Sequence, residues 1–288
     1  MKPFWLFLIF LLWGGGMTPI AIMLAERYGM MDYPDQRKIH RAPVPRGAGL
    51  VLWSGLLMWA LLFARVSFEL RIIVTGATIV FFAGYLDDML SLSPFGRLVV
   101  HFFAAAVSLL MVGQQDALHM CVLLFWVAGV TNAYSFIDGI NGLALSMAFL
   151  SLSFIGWMSA STEVVPVIAM IAGVFFWNFP RARTFLGDGG VYLLGYFTAA
   201  VTMLWLLPMD LGIYKLCAVL LFVGGVPVID TLAAIVRRVA AGKSPFYPDR
   251  SHIHHRLLDK GLSPFGVLMA LSFLQIVSLS CAYLLLRL

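Results

Sequence analysis

Five short polar runs interrupt an otherwise apolar chain, and their residue types are those that handle phosphate and metal ions. In "GYLDDMLSLSP", Asp87 and Asp88 stand side by side. Adjacent carboxylates at a membrane boundary repel one another and resist desolvation, so they call for a cation. Mg²⁺ with phosphate ligands is the usual partner of such oxygen-only pairs; two solvated loop acids are the plainer alternative. "NAYSFIDGINGLA" carries Asp138 and Asn141, three apart and on one face if the turn is helical. Gly139 and Gly142 permit a tight reversal, and a helix starting there could meet an anion. An Asx-capped turn between two helices accounts for the same residues.

"NFPRARTFLGDGGVYLLG" places Asp188 among glycines at a helix start, as an N-cap or a metal ligand. Phe185, three residues earlier, either stacks on a base or anchors the loop. The run from Asp32 to Gly49, "DYPDQRKIHRAPVPRGAG", holds Arg37, Lys38, His40, Arg41 and Arg46 among prolines and glycines. It is a basic loop facing anionic lipid or a phosphate-binding lid. The most polar run, "SPFYPDRSHIHHRLLDKGLS", gathers Arg250, His252, His254, His255 and Arg256. A zinc site would need a fourth ligand; cations facing a phosphate pocket explain the cluster better. Upstream, Asp230 and Arg237 are seven apart, the spacing of a salt bridge on one helix face. His101 and His119 lie in apolar runs and read as packed or interfacial residues.

The elements that must position these groups follow from composition. The 288 residues are 61% hydrophobic and 11% charged, which excludes a water-soluble globule, because too little polar surface exists to cover one. Ten nearly charge-free segments begin at Pro3, Gly47, Ile72, Leu98, Ala117, Gly139, Val164, Gly189, Leu216 and Leu262. They predict an all-α, polytopic membrane protein of about ten spans. Ile72–Leu86 is short for a span, and Gly224–Pro227 predicts a kinked or broken ninth helix. The first segment is too long for a signal peptide and lacks a cleavage site. Connections are short and no repeat is visible, so residues 1–288 read as one membrane domain. Cys121, Cys217 and Cys281 lie inside apolar segments without metal spacing and are expected to be buried small hydrophobes.

Basic residues orient the chain. With ten spans, fourteen of the 19 Lys and Arg residues fall on the odd-to-even connections, leaving Lys2, Arg65, Arg71, Lys215 and Arg287 opposite. That asymmetry predicts the richer side in the cytoplasm and both termini outside. Ten of the 14 acids share the richer side, which a topology rule alone does not explain.

Taken in order, "DDMLSLSP", "NAYSFIDGINGLA", "FLGDGG" and "SPFYPDRSHIHHRL" after "PVIDTLAAIVRR" resemble the polyprenyl-phosphate N-acetylhexosamine-1-phosphate transferases. The histidine loop is similar to the branch using undecaprenyl phosphate and UDP-N-acetylglucosamine. The resemblance covers Asp32 to about Ser263. It implies a multi-pass enzyme of the bacterial inner membrane with a cytoplasmic site, Mg²⁺ as cofactor with Mn²⁺ able to substitute, and no nucleic-acid partner. Polyprenyl phosphate would attack the UDP-sugar, giving polyprenyl-diphosphate-sugar and UMP and starting an envelope polysaccharide. A homodimer is common in the family.

Carried over residue by residue, Asp188, Asp87 and Asp88 match the metal site, and Asp87, Asp88, Asp138 and His252 the catalytic set. Asn141, Asn178 and Phe185 match nucleotide contacts, while Arg46, Arg250, His254 and His255 match contacts to phosphate and sugar; His252 is expected to lead the three histidines. Two departures stand out: Ser135 replaces a frequent Asn, and Ser91 stands where some members carry a basic residue, leaving that contact to a group such as Arg97. The sugar is open among N-acetylglucosamine, N-acetylgalactosamine, N-acetylfucosamine and N-acetylquinovosamine. An ion-coupled transporter is the alternative from another class, but it calls for mid-span acids and inverted repeats. Asp188→Asn is expected to abolish turnover; near-normal activity in that variant would remove Asp188 from the metal site.

Overall fold

In the structure, a computed structural model, residues 2–34, 42–62, 67–113, 115–245, 247 and 251–288 are described. Among the described residues, ten apolar helices coincide with the ten apolar segments: α1 (Pro3–Arg27), α2 (Ala48–Leu62), α3 (Phe68–Leu90), α4 (Pro94–Ser108), α5 (Ala117–Ile137), α6 (Leu143–Ser159), α7 (Val165–Asn178), α8 (Gly187–Leu206), α9 (Ile213–Ala240) and α11 (Pro264–Arg287). Seven are long and apolar enough to cross a membrane; α2, α6 and α7 are shorter. The segment that looked short is a 23-residue helix. Its start is fixed by the Ser67 hydroxyl, which accepts from the Leu70 amide at 3.1 Å, and its last turn continues through both aspartates. A seven-residue helix, α10 (Ile253–Asp259), lies within the histidine run; it is too short and polar to leave a periodic signal.

Helix α8 is the centre of the bundle, buried from Gly189 through Ala200 on every face, as a helix apolar all round should be. In lipid no hydrophobic force draws helices together, so close backbone approach through small residues supplies the packing. A Cβ on Gly84 of α3 would lie 2.4 Å from the Gly189 amide nitrogen and 2.5 Å from the Asp188 carbonyl carbon. A Cβ on Gly49 of α2 would lie 2.5 Å from the Leu186 carbonyl oxygen. The first turn of α8 is therefore wedged between α2 and α3, which sets where Asp188 can be.

The ninth apolar helix is broken, as its Gly-Gly-Val-Pro step predicts. Gly225 has φ 53° and ψ −134°, two residues before Pro227. The freed Val226 amide donates to Gln275 Oε1 of α11 at 2.8 Å, and Gln275 Nε2 donates to Ser151 Oγ of α6 at 3.0 Å. Such side-chain rescue is what backbone freed inside a membrane requires.

Two features depart from expectation. Two-residue strands β1 (Met31–Asp32) and β2 (Val44–Pro45) pair antiparallel, and β2 is stapled to the loop before α8, where the Phe185 amide donates to the Pro45 carbonyl at 2.8 Å. The cysteines are not buried: Cys121 and Cys217 are exposed and Cys281 is half-exposed. A membrane-embedded bundle has an apolar exterior as well as an apolar interior, so an apolar run does not say which way a thiol points.

Gly84→Ala is expected to destabilise the bundle by about 1–3 kcal/mol, the usual cost of overpacking, read as a lower thermal midpoint in detergent. Gly16→Ala, with open space beside it, should leave the midpoint unchanged. Equal midpoints for both variants would show that the α3–α8 seam is not tight.

Candidate active site

One cavity of about 290 Å³ opens where these helix ends meet, lined by residues of all five polar runs. Asp32 and Arg46 come from the β1–β2 hairpin, Asp88 from the end of α3, and Ser135, Asp138 and Asn141 from the α5–α6 turn. Asn178, Phe185 and Asp188 come from the α7–α8 connection, and His255 from α10. Residues separated by more than two hundred positions in the chain thus face one space.

Asp88 joins the walls. Its Oδ2 accepts from the Asp188 amide at 2.9 Å, capping the start of α8 from another helix, where the helix dipole favours an anion. Its Oδ1 pairs with Arg46 Nη1, and Arg46 Nη2 pairs with Asp32. Burial by itself would weaken the charge on Arg46, but Asp88, Asp32 and Asp188 outweigh that, so the guanidinium is held above its usual range. Gly187, at φ 66°, keeps the turn open: a Cβ there would lie 2.5 Å from Asp88 Oδ2.

Asp138 and Asp188 differ from Asp88. Both carboxylates face the cavity, and neither has a hydrogen-bond or ion-pair partner among the described residues. Asp138 is open to solvent on its cavity side, yet the protein mass packed around it, and then the charge of Asp88, push its carboxyl up to about 7. Two unpartnered carboxylates beside a third are a donor set that suits a hard cation. No group of three or more His, Cys, Asp or Glu among the described residues is arranged as a ready metal site. Mg²⁺ commonly takes only one or two carboxylates and fills the rest of its shell with phosphate and water, so the residues fit it.

Several sequence expectations shift. Asp87 is not on the cavity wall: Oδ1 accepts from the Leu92 amide at 2.7 Å, and Oδ2 accepts from Tyr192 Oη at 2.9 Å and Arg97 Nη1 at 3.3 Å. With both oxygens engaged it anchors the end of α3. Arg97, the stand-in considered for the basic residue at position 91, is committed to that anchor. Asn178 does line the cavity, but Oδ1 accepts from the Gly142 amide at 2.5 Å and Nδ2 donates to the Thr184 carbonyl at 2.8 Å. Its amide ties two loops together, and the same bond occupies the helix-start amide at Gly142 that could have met an anion. Asn141 lines the cavity and donates its Nδ2 to the Pro180 carbonyl at 3.1 Å.

Of the three histidines, His255 lines the cavity and His252 does not. His252 is buried, with Nδ1 2.7 Å from Asp230 Oδ2. The salt bridge expected between Asp230 and Arg237 is replaced: Arg237 Nη2 donates to Ser251 O and Oγ at 2.8 and 3.0 Å. His254 is buried against Gly139, where a Cβ would lie 2.0 Å from His254 Nε2, and neither ring nitrogen has a hydrogen-bond partner among the described residues. Arg250, with Arg37, Lys38, His40 and Arg41, lies outside the described residues. His101 is buried edge-on to Tyr192, and His119 pairs with Asp116 away from the cavity, both as packed or interfacial residues should.

Sequence reasoning missed Asp32, Thr184 and Tyr192. Asp32 lies inside the first basic run, but its partner Arg46 is brought to it by two-residue strands that leave no pattern. The Thr184 hydroxyl, buried, donates to the Pro45 carbonyl at 2.9 Å and accepts from the Gly47 amide at 3.1 Å. Tyr192 is four residues past Asp188 on α8, and that i, i+4 spacing was the one available signal.

Burial, and then His255 and His252, hold the His254 ring far down, at about 3. Docked, the ring stays neutral between its ordinary 6.5 and about 3, whereas the released ring takes up a proton below 6.5. The docked state is thus at full strength above 6.5 and loses ground as pH falls, by about tenfold per pH unit for one proton. Protease sensitivity of the histidine segment is expected to rise between pH 7 and pH 5, and His254→Leu should flatten that rise; an equally steep rise in the variant would exclude His254 as its source.

Residues 70–206 match the family described as glycosyl transferase family 4. The chain is 33% identical over 277 residues to a probable undecaprenyl-phosphate N-acetylglucosaminyl 1-phosphate transferase of Bacillus subtilis, covering 85% of this chain and 74% of that protein. It is 30% identical over 291 residues to a decaprenyl-phosphate N-acetylglucosaminephosphotransferase of Mycobacterium tuberculosis, covering 84% and 72%. It is 28% identical over 244 residues to an undecaprenyl-phosphate alpha-N-acetylglucosaminyl 1-phosphate transferase of Thermotoga maritima, covering 83% and 76%. With likeness running through most of both chains, and the matched family region carrying Asp88, Asp138 and Asp188, this chain belongs to glycosyl transferase family 4.

Proposed function

We propose that this protein transfers N-acetylglucosamine-1-phosphate from UDP-N-acetylglucosamine to a polyprenyl phosphate, giving polyprenyl-diphosphate-N-acetylglucosamine and UMP. The carrying observation is the meeting of Arg46, Asp88, Asp138, Asp188 and His255 in one cavity at the helix ends. The names of the relatives support a polyprenyl phosphate acceptor and an N-acetylglucosamine 1-phosphate group as what is transferred.

An oxygen of the acceptor phosphate attacks the phosphorus that bears the sugar. The bond from that phosphorus to the bridging oxygen breaks, and UMP departs with the electron pair. A phosphate monoester has its second pKa near 6, so the acceptor is mostly dianionic at pH 7 and needs neither a general base nor an enzyme nucleophile. The chain's task is positioning and charge balance, as in other phosphoryl transfers. Asp188 and Asp138, the two cavity carboxylates without partners, would hold Mg²⁺, which when bound offsets the charge of the diphosphate. Arg46, fixed in place by Asp32 and Asp88, offers the N–H donors those two carboxylates leave over to the incoming phosphates. His255 supplies a donor from α10, and Phe185 a ring face on which a base can stack.

We assign ten spans, both termini outside, and the cavity to the cytoplasmic face of a bacterial inner membrane. The excess of Lys and Arg on the cavity side supports this orientation, and a lipid acceptor calls for a site at the membrane surface. Purified protein with radiolabelled UDP-N-acetylglucosamine, undecaprenyl phosphate and Mg²⁺ is expected to yield lipid-linked label and UMP, and EDTA should stop it. Absence of both products would sink the reading. Competition with other UDP-N-acetylhexosamines in the same assay ranks the sugar, and a tighter competitor would reassign it.

A further inference from the structure

Asp230 lies in the C-terminal half of the broken helix α9, outside the cavity lining, and both its carboxylate oxygens are engaged. Oδ2 lies 2.7 Å from His252 Nδ1, and Oδ1 accepts from the Ile253 amide at 3.0 Å. Both side chains of the pair are 6% exposed. An ionised carboxylate only accepts, so Nδ1 of His252 carries a proton. The same two bonds fix the ring and the first amide of α10, a helix whose N-cap side chain makes no capping bond of its own. The His252 ring stacks on Phe136 at 5.3 Å, two residues before Asp138. From that fixed start α10 carries His254 onto Gly139 and His255, whose ring lies 4.1 Å from that of His254, into the cavity.

We infer that Asp230 is a positioning residue: through His252 and the Ile253 amide it clamps α10 so that His255 stands against the Asp138 turn. The broken helix serves the clamp, since the bend at Gly225 separates the direction of the Asp230 segment from that of the upper span. The activity arm of the test rests on the transferase reading; the exchange arm does not.

Amide exchange across Ile253–Asp259 is expected to speed up at least about tenfold in Asp230→Ala, the response of a helix released from its anchor. Asp230→Asn should return exchange close to wild type, because its oxygen can still accept from Ile253 and its amide can donate to the other His252 tautomer. In the transferase assay Asp230→Ala should lower kcat by about 10–100-fold, the usual cost of losing such support. Asp230→Asn should stay within about threefold of wild type. The double variant Asp230→Ala/His255→Ala should be no more than about twofold slower than His255→Ala, since residues acting as a unit are not additive. If Asp230→Ala does not accumulate, His252→Phe keeps a ring on Phe136 without the N–H, and the same faster exchange is expected. Unchanged exchange in the released variants, or full additivity with His255→Ala, would overturn the clamp. A wild type that transfers no sugar would overturn the transferase reading alone, with exchange still deciding the clamp.

Discussion

The arrangement depends on one hydrogen bond between helices, from the Asp188 amide to the Asp88 carboxylate. It can form only because Gly84, Gly49 and Gly187 leave no side chain between α2, α3 and the first turn of α8. That contact resolves a conflict of charge. Asp32, Asp88, Asp138 and Asp188 share one space, and carboxylates held close disfavour joint ionisation. Asp88 is compensated by a helix start and by Arg46, and Asp32 by Arg46. Asp138 and Asp188 keep their lone pairs for whatever enters.

Around this centre the supports divide the labour. Asp87 and Tyr192 pin the end of α3 to α8; Thr184 and Phe185 pin the hairpin to the loop before α8; Asn178 joins that loop to the α5–α6 turn. These supports lie at or between helix ends, where backbone donors and acceptors are left over. Deeper in the bundle, buried hydroxyls such as Thr131 and Thr202 bond back to their own helix, and packing there rests on close backbone approach.

The ten apolar helices were legible because hydrocarbon imposes a length and excludes charge, a constraint visible in any window of sequence. The residue types of the site were legible for a related reason: acids, an arginine and histidines are costly at a membrane surface unless used. Which member of each group faces the cavity was not legible. Asp87 and Asp88 are neighbours on a helix, so they point about 100° apart, and only the packing of α3 on α8 decides that Asp88 faces inward. His252 and His255 are three apart on a segment whose start is fixed by a carboxylate far upstream. Asp32 and Arg46 meet through strands too short to show alternation, and Asn178 has the composition of a reader while its bonds make it a tie.

The polar meeting of Val226, Gln275 and Ser151 within the bundle has a consequence for the outer layer of the protein. A smooth apolar cylinder in lipid can spin about its long axis at little cost, because every face it presents is equally greasy. Gln275 removes that freedom from α11: turning the helix would strand an amide in hydrocarbon and uncover the backbone nitrogen left by the break. One side chain therefore acts as a key in a slot, fixing the azimuth of the last helix and, with it, which of its faces is offered to lipid or to a neighbouring protein.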